Sequence, residues 1–157
     1  VVAPQEGADA RTRDLLARWA EGKATLKEVR GYTDDELYAV ARSAHVFFNQ
    51  GMIPEARALF QGLFAVSPRD AYFARALGVV EWAAGNPDGA LGAFDVAIKL
   101  DPENAAGYVG RAEVRIAAGQ KREAQADLVK ASALPSVDAA LKNKAEAMLT
   151  ALTGKRR

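Results

Sequence analysis

His45 is the only histidine in the chain, and there is no cysteine at all. A nucleophile–base pair or a zinc site of the usual kind needs more of these residues than one imidazole. The expected place for His45 is therefore a partly buried polar ring on a helix. Asp34 and Asp35 are neighbouring carboxylates, but adjacency does not aim two side chains into one cleft. They sit inside Thr33-Asp34-Asp35-Glu36, which reads as a capping box: Thr33 bonds the free N–H groups of a helix start and Glu36 bonds back. Acidic residues there also meet the positive end of the helix dipole. No glycine-rich turn leads into Gly-Lys-Ser/Thr, and Gly107 and Gly110 lack the third glycine and preceding strand of a dinucleotide site. These residue types predict no enzyme, no metal and no cofactor. What they can supply is recognition by aromatic rings and a few polar groups.

Those rings must be positioned by elements with a regular period. Gly51, Gly85 and Gly119 lie 34 residues apart, as do Ala56, Ala90 and Ala124. A large apolar residue, Phe60, Phe94 or Leu128, follows each alanine by four. Pro68 and Pro102 share the spacing, and Pro135 comes one place early. A 34-residue self-similarity is the period of stacked tetratricopeptide helix pairs. The glycine ends the first helix at a position needing positive φ. The alanine marks where two helices pack closest, and the large residue fills the space between pairs. Proline stops the second helix, and Asp70 or Asn104 caps the next. The predicted fold is all-α: a right-handed solenoid of three tetratricopeptide helix pairs at 37–70, 71–104 and 105–136. Residues 1–36 form an N-terminal extension, with a loose start, a helix over about 10–20 and a short turn carrying Leu26 and Val29. Residues 137–157 form a capping helix, starting near Val137, and a basic tail. Val137, Leu141, Ala145, Met148 and Leu152 can cover the last pair's open stacking face.

Charge is nearly balanced, with 21 Lys and Arg against 20 Asp and Glu. No field of one sign points to nucleic acid. The basic excess lies in Lys155, Arg156 and Arg157, read as a solvated end. No apolar run reaches membrane-spanning length, so no membrane partner is expected.

In stacked pairs of this type the first helix of each pair lines the concave side, at positions 2, 5, 9, 12 and 13 of the repeat. The first repeat then presents Tyr38, Ala41, His45, Phe48 and Asn49. The second presents Tyr72, Arg75, Val79, Trp82 and Ala83. The third presents Ala106, Val109, Glu113, Ile116 and Ala117. This is an apolar, aromatic-lined groove suited to an extended peptide held by buried anchors. Leu15, Leu16 and Trp19 form a separate apolar patch that no repeat covers. They predict a weak homodimer through the N-terminal helix.

The chain resembles a known family over about residues 13–135. LARWAEGKATLKEVRGYTDDELYAVA, LFQGLFAVSPRDAYFARALG and AEVRIAAGQKREAQADLVKASAL are similar to the corresponding stretches of class II chaperones of bacterial type III secretion. An N-terminal extension joined to three repeats is the more specific part of the likeness. The resemblance implies a bacterial cytoplasmic, ATP-independent holdase. Its clients are hydrophobic translocator proteins, held through a short extended segment in the groove. It also implies self-association through the N-terminal helix. Two positions depart from the family: His45 stands where an aromatic is expected, and Glu113 makes the third repeat's wall polar. A repeat scaffold in another assembly, such as a pilus or envelope complex, is the alternative that the repeats alone allow.

Overall fold

The computed structural model describes residues 10–154. The readings made for the loose start at 1–9 and for Lys155, Arg156 and Arg157 lie outside them. The described residues form nine helices: α1 (Ala10–Ala20), α2 (Leu26–Arg30), α3 (Asp34–Asn49), α4 (Ile53–Val66), α5 (Ala71–Ala83), α6 (Pro87–Leu100), α7 (Ala105–Ala117), α8 (Lys121–Ala133) and α9 (Ala139–Thr153). Helices α3–α4, α5–α6 and α7–α8 pair as hairpins, and each hairpin packs on the next.

Local chemistry sets these boundaries. Gly51, Gly85 and Gly119 turn the chain at φ of 77°, 75° and 75°, a region open to glycine and costly for other residues. Helices α4 and α6 end two residues before Pro68 and Pro102. Asp70 accepts hydrogen bonds from the N–H groups of Tyr72 and Phe73 at 2.9 and 3.3 Å, and Asn104 accepts from Ala106 at 3.1 Å. The Thr33–Glu36 capping box forms at α3, and Thr25–Glu28 forms a second one at α2. The early Pro135 is absorbed by Ser136, whose hydroxyl accepts from the Ala105 N–H at 3.0 Å and donates to the Glu103 carbonyl. The last helix starts two residues later than Val137 because Asp138 caps it, accepting from the Leu141 N–H at 2.7 Å.

Ala56, Ala90 and Ala124 are fully buried, and Phe60, Phe94 and Leu128 fill the core beside them. Gly78 and Gly110 let two helices close on the Phe94 ring. A Cβ at Gly78 would stand 2.9 Å from that ring, and one at Gly110 only 2.5 Å. At the far end Ala145 is buried against α8, with Leu141, Met148 and Leu152 beside it, so α9 covers the third hairpin.

Two buried carboxylates tie helices together across the stack. Glu81 on α5 accepts from Arg57 Nε (2.9 Å) and Gln61 Nε2 (2.8 Å) on α4, and from Asn86 Nδ2 (2.7 Å). Burial pushes its pKa up, but these three donors outweigh burial and hold it below the usual glutamate value. Asp127 on α8 takes a two-pronged bond from Arg111 (3.0 and 2.6 Å) and another from Arg115 (2.6 Å). Arg111 also reaches Asp95 at 2.6 Å. Burial disfavours the charged Arg111, yet Asp127 and Asp95 keep it firmly protonated.

Candidate peptide-binding groove

Helices α3, α5 and α7, the first of each hairpin, carry the positions expected to face inward. Tyr38 on α3 and Tyr72 on α5 face each other with ring centroids 5.4 Å apart. The Tyr38 hydroxyl donates to Asp70 Oδ2 at 3.0 Å. Asp70, read from the sequence only as a helix cap, therefore also anchors a groove ring. Burial, then the Asp70 hydrogen bond, pushes the Tyr38 phenol up to about 12. The Tyr72 hydroxyl lies 2.5 Å from His45 Nε2, and the His45 ring meets Phe60 edge-on at 5.1 Å. Burial, followed by the nearby Arg75 charge, lowers the His45 pKa and favours the neutral ring. Asp70, Tyr38, Tyr72 and His45 thus form a continuous wall, each side chain fixed by the next.

The remaining inward residues divide by exposure. Phe48 and Trp82 are half-buried, Phe48 leaning on the Phe60 cluster and Trp82 on the Phe94 cluster. Val79 is 39% exposed, and Ile116 is half-buried against the third hairpin's core. Ala41 and Val109 are corrections. They were expected on the groove surface, yet they are 1% and 2% exposed and belong to the core. Position 5 of the repeat lies at the seam between hairpins, where a short side chain is covered. Arg75 occupies the same position in the second repeat, but its long stem carries the guanidinium out of the seam. That group lies 5.5 Å from the centre of the Tyr72 ring.

The third repeat is less open. Glu113 is ion-paired with Lys144 of α9, so the capping helix also closes this end of the inner face. Nothing in the 34-residue period signals Lys144, because α9 lies outside the repeats. The chemistry available along the groove is binding chemistry: ring faces, two phenols, an imidazole and one guanidinium. Among the described residues no three His, Asp or Glu side chains converge to hold a metal ion.

The N-terminal patch is uncovered. Helix α1 buries no residue: Leu15 and Leu16 are half-buried, and Trp19 is 49% exposed. Beyond it, the outer face of the first hairpin carries an apolar cavity of about 370 Å³, lined by Tyr32, Leu37, Val40, Leu59, Leu63 and Val66 among others.

Stacked helical hairpins, closed at one end and carrying rings along the first helix of each pair, define a helical-repeat solenoid. Tetratricopeptide-repeat models match residues 42–105 and 81–133, together well over half of the chain. The chain carries tetratricopeptide repeats, and its fold is the right-handed solenoid of three helix pairs with an N-terminal helical extension and a C-terminal capping helix. No curated protein sequence matches it. Among solved structures it is similar to the Yersinia enterocolitica type III secretion translocator chaperone SycD, at 23% identity and a TM-score of 0.76, covering 82% of this chain and 98% of that one. A type III secretion complex from Aeromonas hydrophila gives 22% identity and a TM-score of 0.79, over 90% of this chain and 96% of that one. PcrH of Pseudomonas aeruginosa, solved with the chaperone binding region of PopD, gives 24% and 0.73, over 79% and 96%. Among the described residues no helix is long and apolar enough to cross a membrane.

Proposed function

We propose that this chain is a chaperone for type III secretion translocator proteins. In this reading it holds a short extended client segment in the groove formed by α3, α5 and α7. The observation that carries the reading is the fixed aromatic wall of Tyr38, Tyr72 and His45, continued by Phe48 and Trp82, on the inner helices. The fold shared with PcrH, solved with the chaperone binding region of PopD, supports it. A translocator carries membrane-seeking segments whose exposed apolar area drives aggregation in water. A preformed groove that sequesters part of such a chain lowers that tendency with no nucleotide, so the chaperone works in the bacterial cytoplasm without ATP. An extended segment of ~6–8 residues spans roughly 20–26 Å, a length suited to three hairpins. A second copy packs weakly through Leu15, Leu16 and Trp19.

The deciding experiment is co-purification from the native bacterium, with mass spectrometry of the bound protein and calorimetry on its segments. A translocator should come down with the wild type, and Trp82→Ala and Phe48→Ala should each weaken binding about thirtyfold with helical content kept. Unchanged affinity in both variants would remove the groove as the site. Recovery of pilus or envelope subunits instead would establish the scaffold reading.

A further inference from the structure

The inner face of the first two hairpins carries an ionic group whose charge no other side chain satisfies. Arg75 is half-buried, with its guanidinium against the Tyr72 ring. Among the described residues it has neither an ion-pair partner nor a hydrogen-bond acceptor. The other part-buried arginines differ: Arg57, Arg111 and Arg115 each hold a carboxylate. Two carboxylates beside the groove are also engaged. Asp70 serves two backbone N–H groups and the Tyr38 hydroxyl, and Glu113 serves Lys144. A guanidinium stays charged in any protein environment and offers five donors in a planar fork. Stacked on Tyr72, whose hydroxyl is tied to His45, the fork is held at the edge of an apolar wall. Partial burial of this kind raises the value of an incoming anion, because fewer waters compete for it.

We propose that Arg75 sets the polar specificity of the groove: the bound segment carries a carboxylate, flanked by apolar anchors, that receives the Arg75 guanidinium. The proposal rests on the groove reading above and adds the chemistry of one position in the client. The ligand fits as a monoanion. Burial and the neighbouring Arg75 disfavour a charged His45, which leaves Arg75 as the cation of the site, and the Asp70 carboxylate on the same wall disfavours a doubly charged phosphate.

An array of octapeptides tests this with the full chain. All peptides share one frame of alternating leucine and serine, with Glu, Gln or Lys scanned through the serine positions. Each is made with a free and with an amidated C-terminus. Fluorescence polarisation should show Glu bound about tenfold more tightly than Gln at one position, the size of one charge-assisted hydrogen bond. That advantage should shrink at about 0.5 M salt, where screening is strong. Arg75→Gln should erase the Glu preference, so that Glu and Gln peptides bind this variant alike, with an unchanged melting curve. A preference confined to free C-termini would support Arg75 as the carboxylate reader and place the carboxylate at the peptide's end. Equal binding of Glu and Gln peptides by the wild type, or a Glu preference surviving in Arg75→Gln, overturns the proposal and leaves apolar groove binding intact. Absence of binding by every peptide refutes the groove reading, and this proposal with it.

Discussion

The seam between the first and second hairpins and the seam between the second and third share one frame and are finished differently. At the first, Phe60 packs in a cluster with Ala44 and Ala76. At the second, the corresponding Phe94 lies against Gly78 and Gly110. The missing methyl groups let α5 and α7 approach directly, whereas α3 and α5 meet chiefly through the rings of Tyr38, Tyr72 and His45. A helix interior loses about 1 kcal/mol for each glycine in place of alanine, so this closeness is offset by better packing on Phe94. Direct backbone approach closes the second seam, and contact through side chains leaves the first one lined by rings, where the proposed groove runs.

The strongest challenge to the comparison is Phe94→Ala. Emptying the glycine-lined seam should cost about 3–5 kcal/mol, on the order of 10 °C in melting temperature by calorimetry. A loss under about 1 kcal/mol would mean that the seam collapses and is not tightly specified. Next comes Glu81→Ala, which strands Arg57, Gln61 and Asn86 and should cost about 3 kcal/mol in a denaturant titration. The same group predicts a pH effect. Its folded pKa is depressed, so its contribution is present above its unfolded value, near 4.5, and is lost as pH falls through the lower folded value. Acid melting curves of Glu81→Gln should accordingly be flatter than wild type below about pH 4.5. Parallel curves would show that other carboxylates control acid stability.

Gly110→Ala is the sharper test of the seam itself. The added methyl meets the Phe94 ring and should destabilise by about 1–3 kcal/mol, although alanine is the better helix former. A stabilised Gly110→Ala protein would show that propensity, not packing, governs there. The smallest effect belongs to the open seam. Tyr72→Phe removes only the hydroxyl beside His45 and should cost about 0.5–1 kcal/mol of stability. A loss as large as that of Gly110→Ala would mean that the ring wall carries the fold as well as the groove.

The fold was legible in the sequence because its signals are local. Each turn glycine, cap and stop lies within a few residues of the backbone it serves, and repetition at 34 residues marks each one three times or twice. Side-chain direction was legible only where it follows helical position. Tyr38, Tyr72 and His45 meet one another, a contact that the repeat positions did not announce, and Ala41 and Val109 are covered, because side-chain length decides exposure at the seam. The buried ties could not be read in advance. A lone Glu81 or Asp127 on an amphipathic helix looks like surface, and its partners come from other helices at separations that carry no period. The Glu113–Lys144 pair escaped for the same reason, since α9 follows no repeat.

The neighbour-only packing of the helices has a kinetic consequence. Most tertiary contacts join elements that are adjacent, or next but one, in chain order. Few long loops must close before such contacts form, and chains of this kind fold fast, in microseconds to milliseconds. During synthesis each hairpin can settle on the one before it soon after its own residues leave the ribosome. The third hairpin is different, because its stacking face waits for α9. Until that helix emerges, the nascent protein displays an apolar surface much like those it is proposed to shield.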